Sequence, residues 1–122
     1  MASAYEKIQR SFEDGSTFTF TNASGSEIDG ATMRVEEDTL GMVVDPVPDT
    51  EAGLMLYKHP KIAIPKASAT SFSKGAVVTW DVADGEANTD TSGNSVIGRA
   101  VEDAAAADAE VFIDLTNEEP VA

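Results

Sequence analysis

The chain has 122 residues, no cysteine and a formal net charge of −14, with 22 acidic against 8 basic side chains. A domain of this length buries roughly two-thirds of the surface that its unfolded chain exposes, so it has room for a modest core. The lack of cysteine excludes disulfides and thiolate metal sites. The scarcity of Lys and Arg argues against nucleic-acid binding, which needs clustered basic side chains.

The acidic residues are spread along the whole chain, and two interpretations of them stay open. One is adaptation to concentrated salt, as in proteins of halophilic archaea and their viruses, because salt at 1 M shrinks the Debye length to about 3 Å. The other is an ordinary acidic, soluble protein. Residues 1–10 lack the apolar core of a secretory signal, and no apolar run approaches the roughly 20 residues of a membrane span. We therefore expect synthesis in the cytoplasm and no membrane association.

In chain order, the first clear element is Thr17–Thr21, where strict alternation places both Phe rings on one face of a strand. Further strands are predicted at Thr32–Val35, Leu40–Val44, Leu54–Tyr57, Lys61–Ile64, Ala76–Val82, Val96–Val101 and Val111–Leu115. The inward-facing residues of the two strongest are Val78, Trp80 and Val82, and Val111, Ile113 and Leu115. Seven or eight short strands separated by Gly-, Asp- and Ser-rich turns predict an all-β barrel or sandwich in one domain.

The segment Val101–Ala109 competes with this interpretation, because it is rich in alanine and has high helix propensity. It has no repeating apolar stripe and is short, so we expect a loop with at most one or two helical turns. The five prolines avoid the best strand candidates. Residues 1–4 and 117–122 offer little to bury, and both ends are expected to be mobile.

Residues that could support catalysis are few. The lone histidine, His59, has no accompanying nucleophile motif and is interpreted as an ordinary loop or strand-end residue. The acidic runs Glu36–Asp38 and Asp84–Glu86 do not have the spacing of a calcium loop, and a solvated acidic face explains them better. We expect no catalytic residue, no metal site and no cofactor. A small hydrolase therefore ranks last among the possible functions.

The order of the turns and strands resembles a family of capsid cement, or decoration, proteins of tailed phages. The stretches that carry the resemblance are Ile62–Ser68, Phe72–Ala76, Val78–Asp81, Thr91–Val101, Ala104–Ala107 and Val111–Leu115, with Asp14–Gly15, Gly30 and Leu40–Val43 upstream. No single motif is specific, but the ordered series covers residues 8–116. The turn and core positions that match are Gly15, Gly30, Pro65, Lys66, Gly75, Trp80, Asp81, Gly93 and Gly98. The acidic loop Asp45–Gly53 and the residues before Ile8 depart from the family pattern.

This resemblance implies a virion structural protein that binds the outer surface of an icosahedral capsid after synthesis in the host cytoplasm. Its partners would be the major capsid protein and further copies of itself, as trimers at three-fold and quasi-three-fold positions. Neither nucleic acid nor a membrane is an expected partner. The implied organisation is an N-terminal arm over residues 1–12, a β domain over 13–116 and a flexible tail over 117–122.

Within the arm, the apolar residues Tyr5, Ile8 and Phe12 are the predicted anchors to the capsid. A frayed terminus, or a first strand that begins near Ile8, remains an equal alternative. The competing function is a carbohydrate- or host-binding β module displayed on the virion. Such modules present exposed aromatic rings, and only 7% of these residues are aromatic.

The salt interpretation predicts a measurable change in stability. If the acidity is a halophilic adaptation, the unfolding temperature rises steeply between low salt and molar KCl or NaCl, because screening removes repulsion among the carboxylates. Thermal unfolding followed by circular dichroism across this range measures the effect. A flat response would show that the negative charge is incidental to stability.

Overall fold

Alternation of apolar and polar residues produces strands throughout the part of the chain described by the computed structural model, residues 16–121. These residues form an eight-stranded sheet curled into a half-barrel and contain no helix, hence none that could cross a membrane. The strands are β1 (Ser16–Thr21), β2 (Met33–Glu36), β3 (Thr39–Val43), β4 (Ala52–Pro65), β5 (Val77–Asp81), β6 (Glu86–Asn88), β7 (Ser95–Ala100) and β8 (Glu110–Leu115). The prediction of an all-β fold with seven or eight short strands is confirmed.

All strand pairs are antiparallel, and the order across the sheet is β2-β3-β4-β8-β7-β5-β6. The first strand lies off this path and pairs with the N-terminal half of β4. The C-terminal half of β4 pairs with β8. The far edge of the sheet curls back toward the end of β4, where Ala67 donates its N–H to the carbonyl of Ala87 at 2.9 Å.

Strand β4 has 14 residues and joins the two halves of the sheet. The sequence predicts two separate strands here, with Lys58–Pro60 between them, but the structure has one continuous strand. A register shift between His59 and Ile62 accommodates the proline, because a bulge leaves one residue without a ladder partner and Pro60 has no N–H to donate. The best strand candidates contain no proline, as expected, but Pro60 lies inside β4 and Pro65 is its last residue.

The core has two parts that lie on opposite faces of the sheet. The larger part fills the concave side of the half-barrel and includes Leu56, Ile62, Trp80, Ile97 and Ile113. The smaller part covers the outer face near β1 and β4 and consists of Phe20, Ile28, Val43, Val47 and Met55. Loops that follow β1 and β3 supply Ile28 and Val47, and their backbones exchange two hydrogen bonds at 2.9 Å. Strands β3 and β4 are therefore buried on both faces where they pair.

The polar residue that holds these two loops in place is Asn22, which is buried. Its side-chain amide donates to the carbonyls of Ser26 at 2.8 Å and Val47 at 3.0 Å. Its side-chain carbonyl accepts from the backbone N–H and the hydroxyl of Ser24. Each group of the buried amide thus has a partner, as a buried polar side chain requires. The acidic loop after β3 is tied down by these bonds.

Two local features differ from the predictions, and a third agrees with its prediction. Val82 was expected to face inward, but β5 ends at Asp81 and Val82 is 48% exposed. Asp81 ends the strand because its carboxylate accepts the N–H of Asp84 at 3.1 Å, which starts a turn. The short strand Glu86–Asn88 has no clear pattern of its own and was not predicted. The segment Val101–Ala109 is a loop without helix, as expected.

Residues 117–121, which were expected to offer little to bury, pack against the sheet. The side-chain amide of Asn117 donates to the carbonyls of Leu40 at 2.9 Å and Tyr57 at 2.6 Å, where β3 and β4 diverge. Val121 is only 1% exposed and donates its N–H to the carbonyl of Asp38. The tail thereby closes one end of the larger core.

One close approach between strands requires a residue without a side chain. A Cβ on Gly98 would lie 1.9 Å from the carbonyl oxygen of Asp114, far inside van der Waals contact. Gly98 pairs with Leu115 at one end of the ladder between β7 and β8. The glycine therefore determines how closely these two strands pack.

We expect Gly98→Ala to lower the free energy of unfolding by about 3 kcal/mol or to prevent folding, because the clashing atom belongs to the backbone and has little freedom to move. Gly25→Ala is the matched control, since Gly25 has a φ of +92° and nothing within 4 Å of an added Cβ. The control introduces only the backbone strain of an L side chain at positive φ, about 1 kcal/mol. Urea unfolding of both variants measures the difference, and equal losses would contradict the steric explanation.

Candidate binding surface

The first strand has one edge that no other strand covers within residues 16–121. Strand β1 pairs there only with β4, in a register that sets Phe20 opposite Gly53 and Thr19 opposite Leu54. The carbonyl of Leu54 accepts from Val44, on the β3 side. Because the backbone groups of successive residues point to alternate edges, those of Thr17, Thr19 and Thr21 point away from β4. This outer edge, the β1 edge, presents three N–H and three C=O groups in a row.

The two other terminal strands of the sheet are protected. On β2, which has four residues, the guanidinium of Arg34 forms an ion pair with Glu36 at 2.8 Å, so the edge carries charged groups. The edge of β6 is covered by the chain that leaves β4, through a bridge between Lys66 and Ala87. Short length, charges and coverage are the usual ways in which proteins prevent unwanted strand pairing. Among residues 16–121 no strand other than β4 pairs with β1, and the sequence of β1, Ser-Thr-Phe-Thr-Phe-Thr, contains no charge, proline or glycine.

The two faces beside the β1 edge differ in character. On one face, the exposed threonines lie next to Leu54, which is 40% exposed. On the other face, the half-buried rings of Phe18 and Tyr57 meet edge to face, with centroids 5.4 Å apart. Asp45 lines a shallow groove with Thr19 and Leu54, and Glu37 lines another with Phe18 and Tyr57. One basic group is also near, since the ammonium of Lys58 lies 6.0 Å from the centroid of the Tyr57 ring.

Lys66, one of the predicted turn residues, is buried where β4 ends. Its ammonium donates to the carbonyls of Thr70 at 2.5 Å, Ala106 at 3.1 Å and Ala67 at 3.3 Å. A buried ammonium needs acceptors, and these three carbonyls belong to the turn after β4 and to the loop before β8. The lysine therefore ties the two segments together. A shallow groove between them is lined mainly by alanines.

The other predicted turn and core positions are spread over the structure and do not form one site. Trp80 is 3% exposed in the larger core, and Asp81 ends β5. Gly30, Gly75 and Gly93 lie in the turns before β2, β5 and β7. Gly15 and the predicted arm residues, Tyr5, Ile8 and Phe12, lie outside the described residues. The sequence did not predict the β1 edge. The alternation over Thr17–Thr21 predicts a strand, but it does not show which edge of that strand lacks a partner.

A comparison with models of protein families shows the family to which the chain belongs. The model of the phage cement protein matches residues 12–115, which is most of the chain. The chain belongs to the phage cement protein family. Neither a search of curated proteins nor a search of solved structures found a match. The resemblance drawn from the ordered turns is thus confirmed at the level of the family.

Phage cement proteins are structural proteins that stabilise capsids, and the family is not one of enzymes. Membership therefore assigns this chain a structural role in the virion, in association with the capsid. The matched region contains all eight described strands, including β1 and its uncovered edge. A cement protein needs a surface that binds a partner, and the β1 edge has the properties of such a surface.

His59, interpreted from the sequence as a loop or strand-end residue, instead lies inside β4 and is 1% exposed. Its Nδ1 accepts the backbone N–H of Lys61 at 3.1 Å. This hydrogen bond satisfies the Lys61 N–H at the bulge around Pro60, where the pairing with β8 shifts register. Its Nε2 has no hydrogen-bond partner among residues 16–121. In the same part of the chain, no three His, Asp or Glu side chains are grouped so as to hold a metal ion.

Proposed function

We propose that this cement protein binds the outer surface of an icosahedral phage capsid by contacting the major capsid protein, as trimers at three-fold and quasi-three-fold positions. The observation that carries the proposal is the family match, which spans all eight described strands. A protein added to the outside of a capsid stabilises it when one rigid body contacts neighbouring capsid subunits at once. Binding to the assembled capsid then opposes separation of the subunits.

The mechanical properties of the β domain support this role. A clamp has to resist deformation, and the sheet at β3 and the N-terminal half of β4 is packed on both faces by the two hydrophobic clusters. Buried polar side chains, Asn22 and Lys66, hold the loops by hydrogen bonds to backbone carbonyls. Loops held in this way present a surface of defined shape, and defined shape lowers the entropic cost of binding.

The arm hypothesis adds a second contact. Residues 1–12 combine the apolar side chains of Tyr5, Ile8 and Phe12 with Lys7 and Arg10, two of the eight basic residues of the chain. We propose that this segment extends onto the capsid and adds its own contacts to those of the β domain. In a trimer, three such arms would raise the overall affinity through their effective concentration.

The alternative, a virion-displayed module that binds carbohydrate, depends on exposed aromatic platforms. The lone tryptophan, Trp80, is 3% exposed and contributes to the core. Its buried indole ring therefore cannot stack against a sugar ring. No observation favours this alternative over the structural role.

Co-sedimentation with undecorated mature capsids in high salt tests the proposal. We expect saturable pelleting of the protein, and cryo-electron microscopy of the pellet to show added density at three-fold or quasi-three-fold positions on the outside. Capsids that already carry their cement protein are the control, because their sites are filled. A protein that stays in the supernatant as one monodisperse species would contradict the proposal.

Deletion of residues 1–10 tests the arm in the same assay. We expect affinity for capsids to fall by at least about tenfold, because the apolar anchors Tyr5 and Ile8 are removed. The unfolding temperature of the shortened protein shows whether the β domain is intact. Unchanged capsid binding would reject the arm hypothesis and leave the β domain as the binding part.

A further inference from the structure

We infer that the β1 edge is the docking site for an extended, basic segment of the major capsid protein, which pairs with β1 as an additional strand. This inference rests on the proposed function, since it names the surface and the partner segment through which the cement protein contacts the capsid. It concerns the β domain and is independent of the arm.

The first step is the contrast among the terminal strands of the sheet. Ion-paired side chains protect the edge of β2, and the chain after β4 covers the edge of β6. The β1 edge is six residues long and free of charge in a protein with 22 acidic side chains. An uncharged strand rich in Thr and Phe, with its backbone groups open, pairs readily with another strand. Among residues 16–121, this uncharged edge has no partner strand and is available to one.

The second step is the geometry of the edge. The N–H and C=O groups of Thr17, Thr19 and Thr21 point outward, as the register with Leu54 and Leu56 requires. An added strand would place alternate side chains on the two faces. On one face they would meet the threonines and Leu54, and on the other the rings of Phe18 and Tyr57. Backbone pairing supplies affinity in this mode, and the two faces supply specificity.

The third step is the charge around the edge, which identifies the occupant. Asp45 and Glu37 lie in the grooves on the two faces, so an incoming strand that carries Lys or Arg at the matching positions gains complementary charge. A second copy of this chain does not meet that requirement, since its own β1 has no basic residue and it brings a net charge of −14. Like charges would oppose that pairing. A basic, extended segment of a capsid subunit would pair with the backbone N–H and C=O groups of β1 and with the carboxylates beside them.

A pair of substitutions at one position tests the backbone contact. Thr19→Pro removes an outward N–H without removing a bond to β4, and a proline is tolerated at such a position of an edge strand. Thr19→Val removes only the hydroxyl and keeps the strand. We expect capsid co-sedimentation to weaken at least tenfold for Thr19→Pro and less than twofold for Thr19→Val, with unfolding temperatures within a few degrees of the unsubstituted protein. Equal binding of all three would overturn the inference.

Photo-crosslinking identifies the occupant even where the proline variant fails to fold. The chain has no cysteine, so Thr19→Cys gives a single attachment point for a benzophenone label, and Thr91→Cys in the exposed loop before β7 is the matched control. We expect the label at position 19, and not at 91, to crosslink to the major capsid protein on decorated capsids. Crosslinks confined to a second copy, or to residues 1–15 of the same chain, would overturn the inference.

The charge requirement has its own test. Glu37→Gln combined with Asp45→Asn should weaken capsid binding several-fold at about 0.15 M salt and much less at 1 M, where charges are screened. Unchanged binding at the lower salt would reject a basic partner. Failure of the unsubstituted protein to pellet with capsids would instead contradict the proposed function, so the two failures are distinguishable.

Discussion

The structure depends on one strand that changes partners along its length. The N-terminal half of β4 is paired on both edges, by β1 and β3, and its C-terminal half pairs with β8. The change takes place at the bulge around Pro60, where the proline needs no partner and the side chain of His59 accepts the N–H of Lys61. A bulge also increases the local twist of a strand. Twist at this point lets one sheet curl around the larger core while its other end is packed on both faces.

Polar groups inside this fold are held by backbone carbonyls. The side chains of Asn22, Lys66 and Asn117 each donate to carbonyls of segments that are distant along the chain. Short loops without helices have few apolar contacts, so such bonds supply much of their order. A cement protein benefits from this arrangement, because its loops stay rigid although the domain is small.

The terminal strands of the sheet differ in how their outer edges are protected. An ion pair protects the edge of β2, and the segment that follows β4 covers the edge of β6. The edge of β1 instead presents backbone N–H and C=O groups of uncharged residues, between grooves lined by Asp45 and Glu37. Net charge keeps free copies apart before assembly. We infer that a neutral edge with acidic flanks favours pairing with a basic capsid segment over pairing with the β1 edge of a second copy.

By itself the sequence determined the fold class, because alternation over Thr17–Thr21 and Val111–Leu115 is a local property and survives in β1 and β8. The ordered turns were also sufficient to indicate the cement family. Tertiary structure decided that β4 continues through Pro60 and that Val121 is buried. It also decided that the outer edge of β1 lacks a partner strand among residues 16–121. These outcomes depend on which distant strands pair, and side-chain alternation specifies a strand's faces but not its neighbours.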